Sequence, residues 1–164
     1  DKPRGAIIIY SVSGGDKCVS QFKTYILNLN KLRVNKMNKI VIHCSATPNG
    51  RPTSAADIHN WHKQKGWSGI GYHYVIDING KLEQGRPEYW QGAHAKGHNY
   101  KSIGICMIGT DNYNDVQWEV LENLVRELLI KYPGTKVIGH NEVSDKTCPG
   151  FNVQWWINKI FKEG

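Results

Sequence analysis

Apolar and polar positions alternate in blocks that divide the chain into short strands and amphipathic helices. Gly5 to Val12 is mostly apolar and runs into Ser13-Gly14-Gly15, which reads as a strand and a turn. Val19, Phe22, Tyr25, Ile26, Leu29 and Leu32 recur at helical spacing and form a stripe that needs burial. Lys39 to Cys44 reads as a strand, and Ser45 to Thr53, with two Pro and one Gly, as a loop. Thr53 or Ser54 caps a helix that runs to about Lys65, where Gly66 ends it. Tyr72 to Ile78 predicts a strand, Asn79-Gly80 a hairpin turn and Lys81 to Gln84 the returning strand. Residues 85–101 are a Gly- and His-rich loop, and Ser102 to Ile108 is a strand. Asp115 to Tyr132 has the clearest amphipathic helical period and is stopped by Pro133-Gly134. Lys136 to Gly139 is a strand, 140–151 a loop, and Asn152 caps a last helix to about Phe161. Strands separated by helices predict an α/β fold, a central mixed β-sheet flanked by helices in a single domain.

Length and composition agree with that picture. A chain of 164 residues can bury a real core, and 40% hydrophobic with 21% charged content is ordinary for a globular domain. No run approaches the roughly 20 apolar residues needed to span a bilayer. Ala6 to Val12 follows Lys2 and Arg4, as a signal peptide would. It is short, interrupted by Tyr10 and Ser11, and lacks a small-x-small cleavage site, so it reads as a strand. Cys18, Cys44, Cys106 and Cys148 sit in contexts that argue against a disulfide framework, because Cys44 and Cys106 lie in apolar runs. The expected location is therefore cytoplasmic, until lysis or export releases the protein. The net charge is +7, and residues 1–38 hold +5 of it, with seven Lys and Arg against Asp1 and Asp16. A basic surface suits anionic wall polymer, nucleic acid or simple solubility.

The candidate chemistry rests on His43, His140 and Cys148. Each histidine closes an apolar strand-like run, Lys39-Ile40-Val41-Ile42-His43 and Lys136-Val137-Ile138-Gly139-His140. Cys148 stands in a turn-rich loop eight positions beyond His140, Asp145-Lys146-Thr147-Cys148-Pro149-Gly150. Two imidazoles and one thiolate suit Zn2+, and three ligands leave a coordination position open for water. The alternative is ordinary surface chemistry, since the spacing is not a compact metal-finger spacing. Neighbouring strand residues face opposite ways, so a metal-facing His43 turns Cys44 away, and Tyr72 parts from His73. His59 and His62, three apart on a helix, imitate a metal pair but are assigned surface or half-buried roles. Trp61 and Trp156 are expected in the core, while Trp67 and Trp90 lie in loops near the motifs. Ser13-Gly14-Gly15-Asp16-Lys17 lacks the spacing of a phosphate loop.

Seven segments occur in one order. They are Ile42-His43-Cys44-Ser45-Ala46-Thr47, Trp61-His62-Lys63, Gly69-Ile70-Gly71-Tyr72-His73-Tyr74-Val75-Ile76, Gly92-Ala93-His94-Ala95-Lys96-Gly97-His98-Asn99, Ser102-Ile103-Gly104-Ile105, Gly139-His140-Asn141-Glu142-Val143 and Lys146-Thr147-Cys148-Pro149. The series resembles the zinc N-acetylmuramoyl-L-alanine amidases, in pattern the amidase-type phage lysozymes and, at greater distance, the peptidoglycan recognition proteins. It runs from about Asn38 to about Trp156 and does not extend to residues 1–36. The resemblance implies an amidase domain over 37–164 preceded by an extension of one strand and one helix. It implies Zn2+ on His43, His140 and Cys148, catalytic roles for Tyr72 and Lys146, and a substrate contact for His94. The implied substrate is peptidoglycan or a muropeptide, cut between N-acetylmuramic acid and L-alanine by a monomer with no nucleic-acid partner. Two rival readings accompany it. One is a binding module on the same fold, which typically lacks the zinc cysteine present here as Cys148. The other is a regulator, because some phage relatives contact an RNA polymerase.

Overall fold

The structure, a computed structural model, describes residues 36–162. The strand expected over 5–12 and the helix expected over 19–32 lie outside the described residues.

Among the described residues, five strands form one sheet in the order β3-β2-β4-β1-β5. They are β1 (Lys39–Cys44), β2 (Tyr74–Ile76), β3 (Leu82–Gln84), β4 (Ser102–Met107) and β5 (Lys136–Gly139). β1 lies parallel to β4 and β5, and β2 parallel to β4, whereas β3 returns antiparallel to β2. The sheet is thus mixed, as expected. The β2–β3 hairpin is shorter than its apolar pattern suggested, because its turn begins early. Asp77 Oδ1 accepts the amides of Asn79 and Lys81, both at 2.8 Å, and diverts those amides from the ladder. Gly80 closes the turn at φ +77°, a left-handed conformation that glycine adopts without strain.

Among the described residues, three helices cover the sheet: α1 (Ala55–Gln64), α2 (Asp115–Lys131) and α3 (Val153–Lys162). Ser54 caps α1, accepting the Asp57 amide at 3.2 Å while the Asp57 carboxylate receives the Ser54 amide at 2.8 Å. Asn114 and Gln117 form the same reciprocal pair at the start of α2. Asn152 Oδ1 accepts the Trp155 amide at 2.9 Å and opens α3.

Strand alternation sorts the core into two layers. Ile40, Ile42, Ile103, Ile105, Met107 and Ile76 face the α2–α3 side and pack with Leu121, Leu124, Val125, Leu128, Val153 and Trp156. Val75 and Cys106 face the other side, against Ile58 of α1 and Ile70. Every residue of β4 is buried, as expected of a central strand covered on both faces. Among the described residues, no helix is long and apolar enough to cross a membrane.

Candidate metal centre and its cleft

His43 and Cys106 are in register at the C-terminal ends of β1 and β4. His43 is fully buried. A parallel sheet gathers its carboxyl ends along one edge, where chain crossovers leave a crevice. His140 begins the single turn of 3-10 helix that follows β5, the other parallel neighbour of β1. Its ring centroid lies 4.5 Å from that of His43. The loop after this turn doubles back, with the Asn141 amide donating to the Cys148 carbonyl at 2.7 Å. One ligand atom from each of His43, His140 and Cys148 falls within a group spanning no more than 4.8 Å.

The donor set fits a cation. Nε2 of His43 is engaged by His94 Nδ1 at 2.8 Å, whereas His43 Nδ1 is buried without a hydrogen-bond partner among the described residues. An unpartnered buried nitrogen is costly unless something absent from the protein binds it. Burial, then the neighbouring His94, His140 and Lys146, holds the His43 pKa well below its ordinary value. Burial and Lys146 also lower His140. Both rings are therefore neutral near pH 7, as metal ligation requires. The Cys44 amide donates to Cys148 Sγ at 3.0 Å. Proximity to the Cys44 thiol, followed by burial, keeps the Cys148 thiol above its ordinary range, and a coordinated cation would reverse that shift. The Cys44 side chain itself packs in the α2–α3 layer, so the strand alternation holds.

Tyr72, Lys146 and His94 line the same cleft, together with Trp61, His62 and Trp67, and its volume is about 260 Å³. The Tyr72 ring lies 5.2 Å from that of His43 and 5.6 Å from that of His62. Burial, then the neighbouring Cys106, Cys148 and Cys44 thiols, raises its phenol well above the ordinary value, so Tyr72 is present as the hydroxyl. His73, beside it in sequence, is fully buried elsewhere. It accepts the Gly104 amide at 3.0 Å and contacts the Trp90 carbonyl at 2.8 Å.

Two expectations need correction. Trp61 is 36% exposed on the cleft wall rather than in the core, because α1 turns Ile58 and His62 inward instead. His62 is buried rather than half-buried or at the surface, and its Nδ1 accepts the Gly71 amide at 2.9 Å. His59 is half-buried and accepts the Ile70 amide at 3.1 Å, so the helical pair anchors the Gly69-Ile70-Gly71 loop. Sequence reasoning gave His62 no place in the cleft. The available signal was the i,i+4 pairing of Ile58 with His62, which gives the inner stripe of α1. Trp156 is in the core as expected, while Trp67 is 40% and Trp90 58% exposed. Cys44, Cys106 and Cys148 are all free.

Comparison with known proteins agrees with this site. Residues 33–151 match the family model described as N-acetylmuramoyl-L-alanine amidase. The endolysin of Escherichia phage T7 is 40% identical over 128 residues, covering 73% of this chain and 85% of that protein. Peptidoglycan-recognition protein LB of Drosophila melanogaster is 34% identical over 114 residues, covering 65% of this chain and 49% of that protein. Among solved structures, the N-acetylmuramoyl-L-alanine amidase LysC from Clostridium intestinale superposes with a TM-score of 0.69 at 36% identity, over 76% of this chain and 85% of that one. With the family model spanning most of the chain and the fold and donor set in agreement, this chain belongs to the N-acetylmuramoyl-L-alanine amidase family.

Proposed function

We propose that the amidase reaction of this chain runs at a zinc ion held by His43 Nδ1, His140 and Cys148, with Tyr72 and Lys146 as its catalytic side chains. The family's reaction is hydrolysis of the amide between N-acetylmuramic acid and L-alanine in peptidoglycan. A variant of Drosophila PGRP-LB, 28% identical with a TM-score of 0.67 over 75% of this chain, has been solved in complex with tracheal cytotoxin. A muropeptide in the cleft beside Trp61, Trp67 and His94 is the corresponding reading here. The observation that carries the metal assignment is the orphaned His43 Nδ1, buried beside His140 and Cys148.

Zinc bound there supplies a Lewis acid that acidifies a water and polarises the scissile carbonyl. The protein's own groups do the rest. The Tyr72 hydroxyl orients the attacking water by hydrogen bonding; its raised pKa suits it as a neutral donor and acceptor and disfavours a phenolate base. The Lys146 ammonium stabilises negative charge as it builds on the lactyl carbonyl oxygen. Water adds to that carbonyl carbon and the C–N bond breaks. The lactyl carboxylate forms, and the alanine nitrogen takes up both protons of the water and leaves as an ammonium. His94 contributes a ring edge to the substrate groove, both of its nitrogens being bonded within the protein. We assign this chemistry to residues 37–164.

Mass spectrometry of digested peptidoglycan tests the reading directly. The products should be stem peptides with a free L-alanine amine, from protein holding about one zinc per chain. Chelation should abolish the reaction and zinc restore it. Full activity in metal-free protein, or cleavage at a different bond, would refute the proposal.

A further inference from the structure

His94 belongs to a chain of hydrogen bonds that starts at the metal centre and ends at the backbone. His43 Nε2 lies 2.8 Å from His94 Nδ1, and His94 Nε2 lies 3.1 Å from Ser102 Oγ. Ser102 Oγ in turn donates to the Asn99 carbonyl at 3.2 Å.

The far end offers a direction for every bond. A backbone carbonyl can only accept, and the chain runs one way when the Ser102 hydroxyl gives its one proton to Asn99. Ser102 Oγ must then accept from His94, which places the His94 proton on Nε2 and leaves a lone pair on Nδ1. That lone pair can only receive a proton from His43 Nε2. His43 is thereby held as the Nε2–H tautomer, with an unprotonated Nδ1, and Nδ1 is the buried nitrogen without a partner.

The surroundings keep the chain in place. Ser102 is 3% exposed. Asn99 Oδ1 accepts the amides of His94 and Ala95 at 2.9 and 2.8 Å, which braces the loop that presents the ring. A Cβ at Gly104 would lie 2.5 Å from His94 Cγ, and one at Gly92 would lie 2.5 Å from His94 Cδ2. Two missing side chains therefore reserve the space that the imidazole fills.

We propose that His94 is a positioning residue for the metal centre: through Ser102 it fixes the His43 tautomer that turns Nδ1 toward the ion. This rests on the reading of His43 as a metal ligand. Hydrogen-bonded partners of ligating histidines fix ring orientation and raise ligand basicity, and their loss weakens metal affinity by about 10- to 100-fold.

Three substitutions separate the two ends of the ring. His94→Asn keeps an acceptor at the Nδ1 position and gives up the bond to Ser102. His94→Gln keeps a polar group at the Nε2 position and gives up the acceptor for His43. His94→Ala loses both. Zinc affinity, measured by competition with a chromophoric chelator, should fall about 10- to 100-fold in Ala and Gln and stay within about threefold in Asn. Long-range proton–nitrogen NMR on the metal-free wild type should show His43 as the Nε2–H tautomer alone, a readout that needs no variant to fold. An Nδ1–H tautomer there would overturn the proposal, as would wild-type affinity in His94→Ala, or equal losses in Asn and Gln. Wild-type protein that takes up no zinc would overturn the metal reading and the positioning role with it. That outcome is distinct from failure of the positioning role alone, in which wild type and His94→Ala bind zinc equally.

Discussion

Gly104→Ala probes the centre from the middle of a strand, without touching a ligand. Gly104 pairs with Val41 in the β1–β4 register and lies under the His94 ring. A Cβ at this position would stand 2.5, 2.7 and 2.8 Å from His94 Cγ, Cδ2 and Nδ1. Ordinary carbon contacts lie at about 3.5–4.0 Å, so the ring must retreat by about 1 Å. The Gly92 backbone borders the same ring at Cδ2, where a Cβ would stand 2.5 Å away. A shift of that size takes the 2.8 Å bond between His94 Nδ1 and His43 Nε2 beyond about 3.5 Å, where it ceases to be one. Overpacking costs about 1–3 kcal/mol of stability. Loss of the orienting bond costs about 10- to 100-fold in metal affinity, or about 1.4–2.7 kcal/mol. The assays are urea unfolding of metal-free protein and chelator competition for zinc, each run as a double-mutant cycle with His94→Ala. Removing the imidazole makes room for the new methyl, so the two changes should couple by about 1 kcal/mol or more. The reasoning is refuted if Gly104→Ala unfolds at the wild-type midpoint, or if it costs the same with and without the His94 ring.

Cys148→Ser should lose most zinc affinity because a neutral hydroxyl replaces a thiolate, while Cys44→Ala should retain it, since Cys44 packs in the α2–α3 layer and the bond from its backbone amide to Cys148 Sγ survives the substitution. Zinc loss in Cys44→Ala, read by metal analysis, would contradict the strand-face argument. Tyr72→Phe and Lys146→Ala should keep zinc and lower turnover on intact cell wall by roughly 100-fold or more. Wild-type turnover in either variant removes that residue from the mechanism. The stability of metal-free protein should fall as pH drops below about 6.5, the ordinary histidine value. Burial, then Lys65, Arg86 and His59, lowers His62 to about 4, and burial lowers His94 to about 3. The unfolded chain therefore takes up protons first, and stability present above pH 6.5 is lost on acidification. Urea midpoints between pH 7.5 and 4.5 measure the slope, which His62→Asn should make shallower; a flat profile would show that these rings protonate without cost.

Local chemistry made much of this protein legible in its sequence. Hydrophobic period placed β1, β4, β5 and α2 within a residue or two. Capping chemistry at Ser54, Asn114 and Asn152 is written in adjacent residues, because a cap is satisfied by amides two or three positions away. The strand rule that sends His43 and Cys44 to opposite faces is equally local, and the structure honours it. The β2–β3 hairpin came out shorter because Asp77 competes for the amides of Asn79 and Lys81, a preference that apolar alternation does not report.

What the tertiary structure decided involves groups that are neighbours only across the sheet. Trp61 and His62 exchange their expected positions because the inner stripe of α1 is chosen by what it packs on, and here that is Val75 and Cys106. Neither helical histidine reveals in sequence that its acceptor is needed by an amide at Ile70 or Gly71. His43 and His94 lie 51 positions apart, and nothing near either one sets which ring nitrogen holds a proton. That choice is made by the Asn99 carbonyl, which can only accept, and it reaches Nδ1 of His43 through Ser102 and His94. Hydrophobic pattern and capping are carried by residues close along the chain, and sequence records them. Proton direction and ligand convergence depend on which strand ends meet, and only the folded sheet brings those ends together.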